Sequence, residues 1–145
     1  MTSTVRSPEL DQRRALFSTL WIFVMFNYLY ADLMGLMDAS LLRQYLTGQV
    51  GSLAITPPFL LAAAVLMEIP IAMTLLSRVL PHRANRIANI VAGIVKTLAV
   101  LLSLGMGTPT LYYAFFAAIE IACTSAIVVL AWRWTSFQTS SRTAS

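Results

Sequence analysis

The sequence is poor in the residues from which soluble active sites and metal sites are usually built. It contains one cysteine, Cys123, and one histidine, His82, among 145 residues. A single cysteine excludes a disulfide within the chain, and nothing in the sequence clusters cysteine or histidine as a metal site or another cofactor site would require. Charged residues make up only 11% of the chain, about half the fraction in an ordinary soluble domain. The composition therefore argues against a soluble fold.

Apolar residues are correspondingly abundant, at 58% of the chain with a mean hydropathy of +0.74. They form four long stretches, at about 16–37, 57–79, 86–106 and 109–132. Each stretch has about the 20 residues that a helix needs to cross the hydrocarbon core of a bilayer, and none alternates as the strands of a membrane β-barrel do. We predict an all-α fold, an integral membrane four-helix bundle whose main partner is the lipid bilayer.

The domain organisation follows from these stretches. Residues 16–132 are predicted to form one domain of four transmembrane helices. A polar cytosolic segment, 1–15, leads into the first helix, and a polar tail, 133–145, follows the last. Four helices account for nearly all of the chain, so no separate soluble module is expected.

Serine or threonine before proline marks three helix starts, at Ser7-Pro8, Thr56-Pro57 and Thr108-Pro109. Such a pair is typical of an N-cap followed by proline at the first helical position. The connection 38–56 is mildly amphipathic. Both a short helix on the membrane surface and an ordinary loop are consistent with that pattern, and the sequence leaves the two open.

The arginines sort to one side of the predicted membrane. That side holds Arg6, Arg13, Arg14, Arg78, Arg83, Arg86, Arg133 and Arg142, whereas the other side holds only Arg43. Because basic residues are retained in the cytoplasm, this pattern predicts that both termini are cytoplasmic and that the chain is a multi-pass protein of the cell membrane. The same pattern accounts for the pI of about 9.7 without nucleic acid as a partner.

Each predicted span carries one strongly polar residue near its middle: Asn27, Glu68, Lys96 and Glu120. Glu68 follows Pro57 by 11 residues, which is roughly 16 Å along a helix rising about 1.5 Å per residue. That depth is close to the midplane of a hydrocarbon core roughly 30 Å thick. A charged side chain at this depth costs roughly 2.5–3.5 kcal/mol. We therefore expect these side chains to face the bundle interior and to find partners there.

The charges of this layer do not balance. Two glutamates oppose one lysine, so either one carboxyl holds a proton or a cation joins the layer. Asp32 lies one to two turns further along the first span and shares a face with Tyr28. The predicted site for a ligand or a proton consists of Glu68, Glu120, Lys96, Asn27, Asp32 and Tyr28. The alternative is structural, with pairs such as Glu68–Lys96 and Glu120–Asn27 fixing the register of the helices.

Small residues recur at every fourth position of the last span, as Ala114, Ala118, Ala122 and Ala126. Such a ladder lets two helices approach closely. It is either a homodimer interface or a packing surface within the bundle, and the sequence leaves both open.

Three segments carry a resemblance to known sequences: FNYLYAD (26–32), TPPFLLAAAVLMEIPIAMTLLSR (56–78) and HRANRIANI (82–90). In these segments the chain resembles an uncharacterised family of short four-span bacterial membrane proteins. The resemblance covers most of the chain. It implies a four-helix membrane fold and brings no activity or catalytic residues.

Three functions fit the sequence. The favoured one is binding or proton-linked transport of a small cationic or lipophilic molecule, which predicts a water path from both sides to the glutamates. A membrane enzyme, such as an acid/base isomerase or cyclase on a lipid-like substrate, predicts a closed pocket that opens sideways to lipid. An accessory or structural subunit without chemistry predicts a filled core in which Lys96 is fully paired.

Overall fold

The computed structural model describes residues 8–105 and 109–134. These residues form five helices and one two-stranded hairpin: α1 (Pro8–Met37), α2 (Ala39–Leu46), β1 (Gln49–Val50), β2 (Leu53–Ala54), α3 (Pro57–Val79), α4 (His82–Gly105) and α5 (Leu111–Arg133). The four longer helices, α1, α3, α4 and α5, are long and apolar enough to cross a membrane. The prediction of an all-α four-helix fold is confirmed.

The helix bounds follow the predicted spans with differences at the ends. The bounds of α3 are those predicted, and Oγ1 of Thr56 accepts a hydrogen bond from the backbone N–H of Phe59 at 3.4 Å. Helix α1 begins at Pro8, before its apolar stretch, as expected from a proline at the first helical position. Helix α5 begins at Leu111 with Thr110 at the N-cap, two residues later than expected.

Some predicted features lie outside the described residues. They are the caps at Ser7 and Thr108, the arginines Arg6 and Arg142, and the tail beyond Trp134. The assignment of both termini to the cytoplasm and the identity of the membrane stay predictions.

The hydrophobic core lies at one end of the bundle. We call this the closed end; there α1 begins, α3 is joined to α4, and α5 ends. Its buried residues are Phe17, Trp21, Val24, Met73, Ala92, Ile127, Ala131 and Trp134. Helix α1 packs between α3 and α5, and α4 packs mainly against α5. At the opposite, open end, which carries α2 and the hairpin, the helices leave two cavities between them.

A buried polar network joins three helices at the closed end. Nε1 of Trp21 donates to Oδ1 of Asn89 at 2.7 Å, and Nδ2 of Asn89 donates to Oδ1 of Asn85 at 2.6 Å. Nδ2 of Asn85 in turn donates to the carbonyl oxygen of Ser77 at 2.6 Å. Because each of these buried groups has a partner, the network links α1, α3 and α4 without an unpaired amide.

The connection after α1 contains the short helix that the sequence left open. Asp38 is its N-cap, and Oδ1 of Asp38 accepts from the backbone N–H groups of Ser40 at 2.9 Å and Leu41 at 3.3 Å. Hydrogen bonds from the Ser40 hydroxyl and from these N–H groups hold the pKa of Asp38 below its ordinary range. The position of α2 on a membrane surface stays a prediction.

Candidate functional site

A cavity of about 180 Å³ lies inside the bundle, between α1, α3, α4 and α5. Four of the six predicted site residues line it: Tyr28, Asp32, Lys96 and Glu120. The rest of its wall is largely apolar and includes Ala63, Leu66, Met67 and Phe116. The structure therefore brings most of the predicted polar side chains to one cavity.

Lys96 is held by an aromatic ring rather than by a carboxylate. Its side chain is buried, with 2% of the residue exposed, and Nζ lies 3.8 Å from the centroid of the Tyr28 ring. Within residues 8–105 and 109–134, Lys96 makes no ion pair. A cation over a tyrosine ring is worth about 2 kcal/mol when water is excluded. The alternative of a Glu68–Lys96 pair is wrong.

Glu120 is the second ionisable group of the cavity. It is 5% exposed, and its Oε1 has no hydrogen-bond partner in the part of the chain that the structure describes. Its backbone carbonyl accepts a hydrogen bond from the hydroxyl of Thr124 at 2.9 Å, and that hydroxyl lies 2.8 Å from the hydroxyl of Thr97 on α4. The threonine hydroxyls link α5 to α4 beside Glu120 and make no hydrogen bond to its carboxyl group. A buried polar atom without a partner costs about 1–3 kcal/mol, so a donor that enters the cavity gains by reaching it.

Asn27 is buried beside this cavity but has a structural contact. Its Nδ2 donates to the backbone carbonyl of Phe116 at 2.9 Å, which joins α1 to α5. The alternative of a Glu120–Asn27 hydrogen bond is therefore wrong. Tyr28, the next residue, supplies its ring to Lys96, and its hydroxyl is buried without a partner among the described residues.

Glu68 does not face the interior, and the expectation that all four mid-span residues do so is wrong for it. Its side chain is exposed, whereas the buried residues of α3 are Pro70, Met73 and Ser77. With about 3.6 residues per turn, Pro70 and Ser77 both lie about half a turn around the helix from Glu68. Glu68, near the middle of α3, therefore points away from the bundle, whereas Glu120, near the middle of α5, lines the cavity.

A second, larger cavity of about 490 Å³ lies at the open end and was not expected from the sequence. It contains the carboxyls of Asp32 and Asp38 and the rings of Tyr45, Tyr112 and Tyr113. Asp32 and Tyr113 line both cavities. The two cavities therefore adjoin at these residues.

The acidic and aromatic wall of this outer cavity comes from α1, α2 and α5, which is why no single motif marks it. Burial raises the pKa of the Tyr45 hydroxyl, and the nearby Asp32 carboxylate adds to that shift. The signals available in the sequence were the tyrosines at the start of the last span and the amphipathic pattern of the segment that forms α2.

The alanine ladder of α5 lies on the outside of the bundle. All four residues, Ala114, Ala118, Ala122 and Ala126, are exposed. The alternative that they pack within the bundle is therefore wrong. Their role in a homodimer stays a prediction.

Within the described ranges, no group of three His, Cys, Asp or Glu residues is placed to hold a metal ion.

The comparison with family models identifies the chain. A model described as a family of unknown function (DUF6326) matches residues 8–141. The match covers most of the chain, so the protein belongs to this family. No curated protein and no solved structure matches the chain.

Proposed function

We propose that this member of a family of unknown function binds a small organic cation with a lipophilic body, and that proton exchange at Glu120 accompanies binding. The observation that carries the proposal is the Glu120 carboxyl. It is buried in a largely apolar cavity, and its Oε1 has no hydrogen-bond partner among the described residues. An ammonium group supplies the hydrogen-bond donor that Oε1 lacks and a positive charge next to the carboxylate.

The remainder of the inner cavity suits the body of such a ligand. Leu66, Met67 and Phe116 form much of the apolar wall, and few polar groups among apolar ones are typical of small-molecule sites. The ammonium group of Lys96 is stabilised by the Tyr28 ring and makes no ion pair with Glu120 within the described residues. The Glu120 carboxylate is therefore left for the cation of a ligand. A competing proton on Glu120 would have to leave when a cation binds, which links binding to pH.

Access comes from the open end. Asp32 lies where the outer cavity adjoins the inner one, so an approaching cation meets this carboxyl before it reaches Glu120. The closed end is filled by the hydrophobic core and by the network of Trp21, Asn89 and Asn85. Proton-linked transport, the finer form of the proposal, requires this network to open so that the cavity reaches the other side.

The alternatives fit the structure less well. A purely structural layer predicts a filled core with Lys96 paired, but Lys96 borders a cavity and makes no ion pair within the described residues. An acid/base enzyme that uses the two glutamates, one to donate a proton and the other to accept one, needs both in one pocket. Glu68 lies on the opposite side of α3 from the cavity.

A matched pair of ligands and a matched pair of variants test the proposal. The purified protein in lipid vesicles is titrated with phenethylamine and with phenethyl alcohol, which differ in the ammonium group. We expect only the amine to bind well. Glu120→Gln should weaken amine binding about 10- to 100-fold, because the amide keeps an acceptor oxygen but loses the charge that strengthens its hydrogen bond to an ammonium group.

The control is Glu68→Gln, which makes the same change at the same depth on the outside of the bundle and should leave amine affinity within about twofold. A pH-sensitive dye in weakly buffered vesicles detects proton release on amine binding, which Glu120→Gln should abolish. Equal affinity for amine and alcohol, or wild-type affinity in Glu120→Gln, would refute the proposal.

A further inference from the structure

Glu68 places a carboxyl on the outer surface of the bundle at mid-membrane depth. It is exposed near the middle of α3, and its neighbours on that face are apolar, with Leu61, Ala64 and Leu75 exposed and Ala72 half-buried. A charged group at this depth costs several kcal/mol when it faces hydrocarbon. Such residues therefore normally face another protein surface or a water-filled space, and the cavity of this bundle lies on the other side of α3.

The residues around Glu68 have the spacing of a helix–helix contact. Leu61, Glu68 and Leu75 recur every seven residues on the outward face, and the two leucines are 67% and 65% exposed. Ala64 and Ala72 lie one turn before and one turn after Glu68 on the same face. A seven-residue repeat is typical of a seam between two helices that cross at a small angle. Alanines beside the polar residue let the two backbones approach closely.

We infer that this face of α3 is a homodimer interface, in which two copies of the chain lie with the same orientation around a two-fold axis. A two-fold axis along the membrane normal places each residue of the seam opposite its own counterpart. Glu68 of one copy then meets Glu68 of the other. Two carboxyls in direct contact share one proton and form a hydrogen bond with each other, so neither needs another partner.

The polar residue distinguishes this face from the alanine ladder of α5. The ladder offers close approach but carries no ionisable group, so nothing in it requires a partner. On α3, the carboxyl requires a partner and the flanking alanines provide room for it. The interface is also independent of the proposed binding function, because Glu68 and the cavity lie on opposite sides of the helix.

Cysteine cross-linking separates the two faces. Ala64 and Ala118 are matched positions, since each is exposed and each is the eighth residue of its helix. Single Ala64→Cys and Ala118→Cys variants are made in a Cys123→Ala background. They are oxidised in vesicles of phosphatidylcholine and phosphatidylglycerol. We expect a disulfide-linked dimer from Ala64→Cys and none above background from Ala118→Cys. The reverse pattern would overturn the inference in favour of the ladder.

The contribution of the Glu68 carboxyl to dimerisation is measured by fluorescence energy transfer between labelled copies of the protein as it is diluted in lipid. Glu68→Gln keeps hydrogen-bonding capacity and should retain the dimer. Glu68→Leu should weaken dimerisation about 3- to 30-fold, the range set by one interhelical hydrogen bond in a membrane. Ala118→Leu is the control and should have no effect. A wild-type chain that stays monomeric at every density, or a Glu68→Leu variant that dimerises as well as wild type, would refute the interface.

Discussion

Gly93→Ala tests the closest approach between two helices of the bundle. Gly93 is buried in α4 where that helix packs against α5. A Cβ atom at this position would lie 2.6 Å from Cγ2 of Val128 and 3.3 Å from the backbone carbonyl oxygen of Thr124. Carbon atoms prefer to be about 3.5–4.0 Å apart. The added methyl group therefore has to push α4 and α5 apart or force Val128 into another conformation.

Both responses cost free energy. The β-branched side chain of Val128 has one strongly preferred rotamer in a helix, and separation of the helices stretches the 2.8 Å contact between the hydroxyls of Thr97 and Thr124. Overpacking of this kind costs about 1–3 kcal/mol. The greater helix propensity of alanine returns up to about 1 kcal/mol. A Cβ only 2.6 Å from Cγ2 of Val128 puts the overpacking cost in the upper part of this range, so we expect Gly93→Ala to lower the free energy of unfolding by about 1–2 kcal/mol.

Reversible unfolding in mixed micelles, followed by tryptophan fluorescence, measures this difference. Gly105→Ala, on the same helix, is the control, because a Cβ there meets nothing within 4 Å. Val128→Ala removes the clashing atom, so the double variant should recover part of the loss and the two substitutions should be coupled by at least about 0.5 kcal/mol. A Gly93→Ala protein as stable as wild type, or strict additivity of the two changes, would show that the helices are not in this contact.

Two further substitutions test the site and the connection. Tyr28→Phe keeps the ring beneath Nζ of Lys96 and removes a buried hydroxyl that has no partner among the described residues. In the same unfolding assay, the Tyr28→Phe protein should be at least as stable as wild type. Tyr28→Leu should lower the free energy of unfolding by about 0.5–2 kcal/mol. Equal losses in both variants would contradict the cation–π contact. The folded-state pKa of Asp38 is lowered, so its stabilisation of α2 is present above the ordinary pKa of about 3.9 and is lost as the pH falls through the folded value. The amide NMR shifts of Ser40 and Leu41 should follow that loss, and an Asp38→Asn protein with the same pH dependence would exclude the carboxylate as its cause.

The sequence by itself determined the features that depend on local pattern. The length of each apolar stretch set the number of spans, because a helix must satisfy its own backbone hydrogen bonds across the bilayer. Counting residues from Pro57 placed Glu68 at the middle of α3, since the rise per residue is constant. The Thr56 cap was also readable, because an N-cap depends on residues that are neighbours in the chain.

Only the tertiary structure decided which way each helix is turned. Glu68 and Glu120 lie near the middle of α3 and α5, yet one faces outward and the other is buried at the cavity. In a soluble helix, the polar face marks the outside. In these spans the outward face is apolar as well, because lipid surrounds it, so hydrophobic periodicity does not distinguish the two sides of α3 or α5. The rotation of α3 is set by the contacts of Pro70, Met73 and Ser77 at the closed end, and those contacts exist only once the helices have packed together.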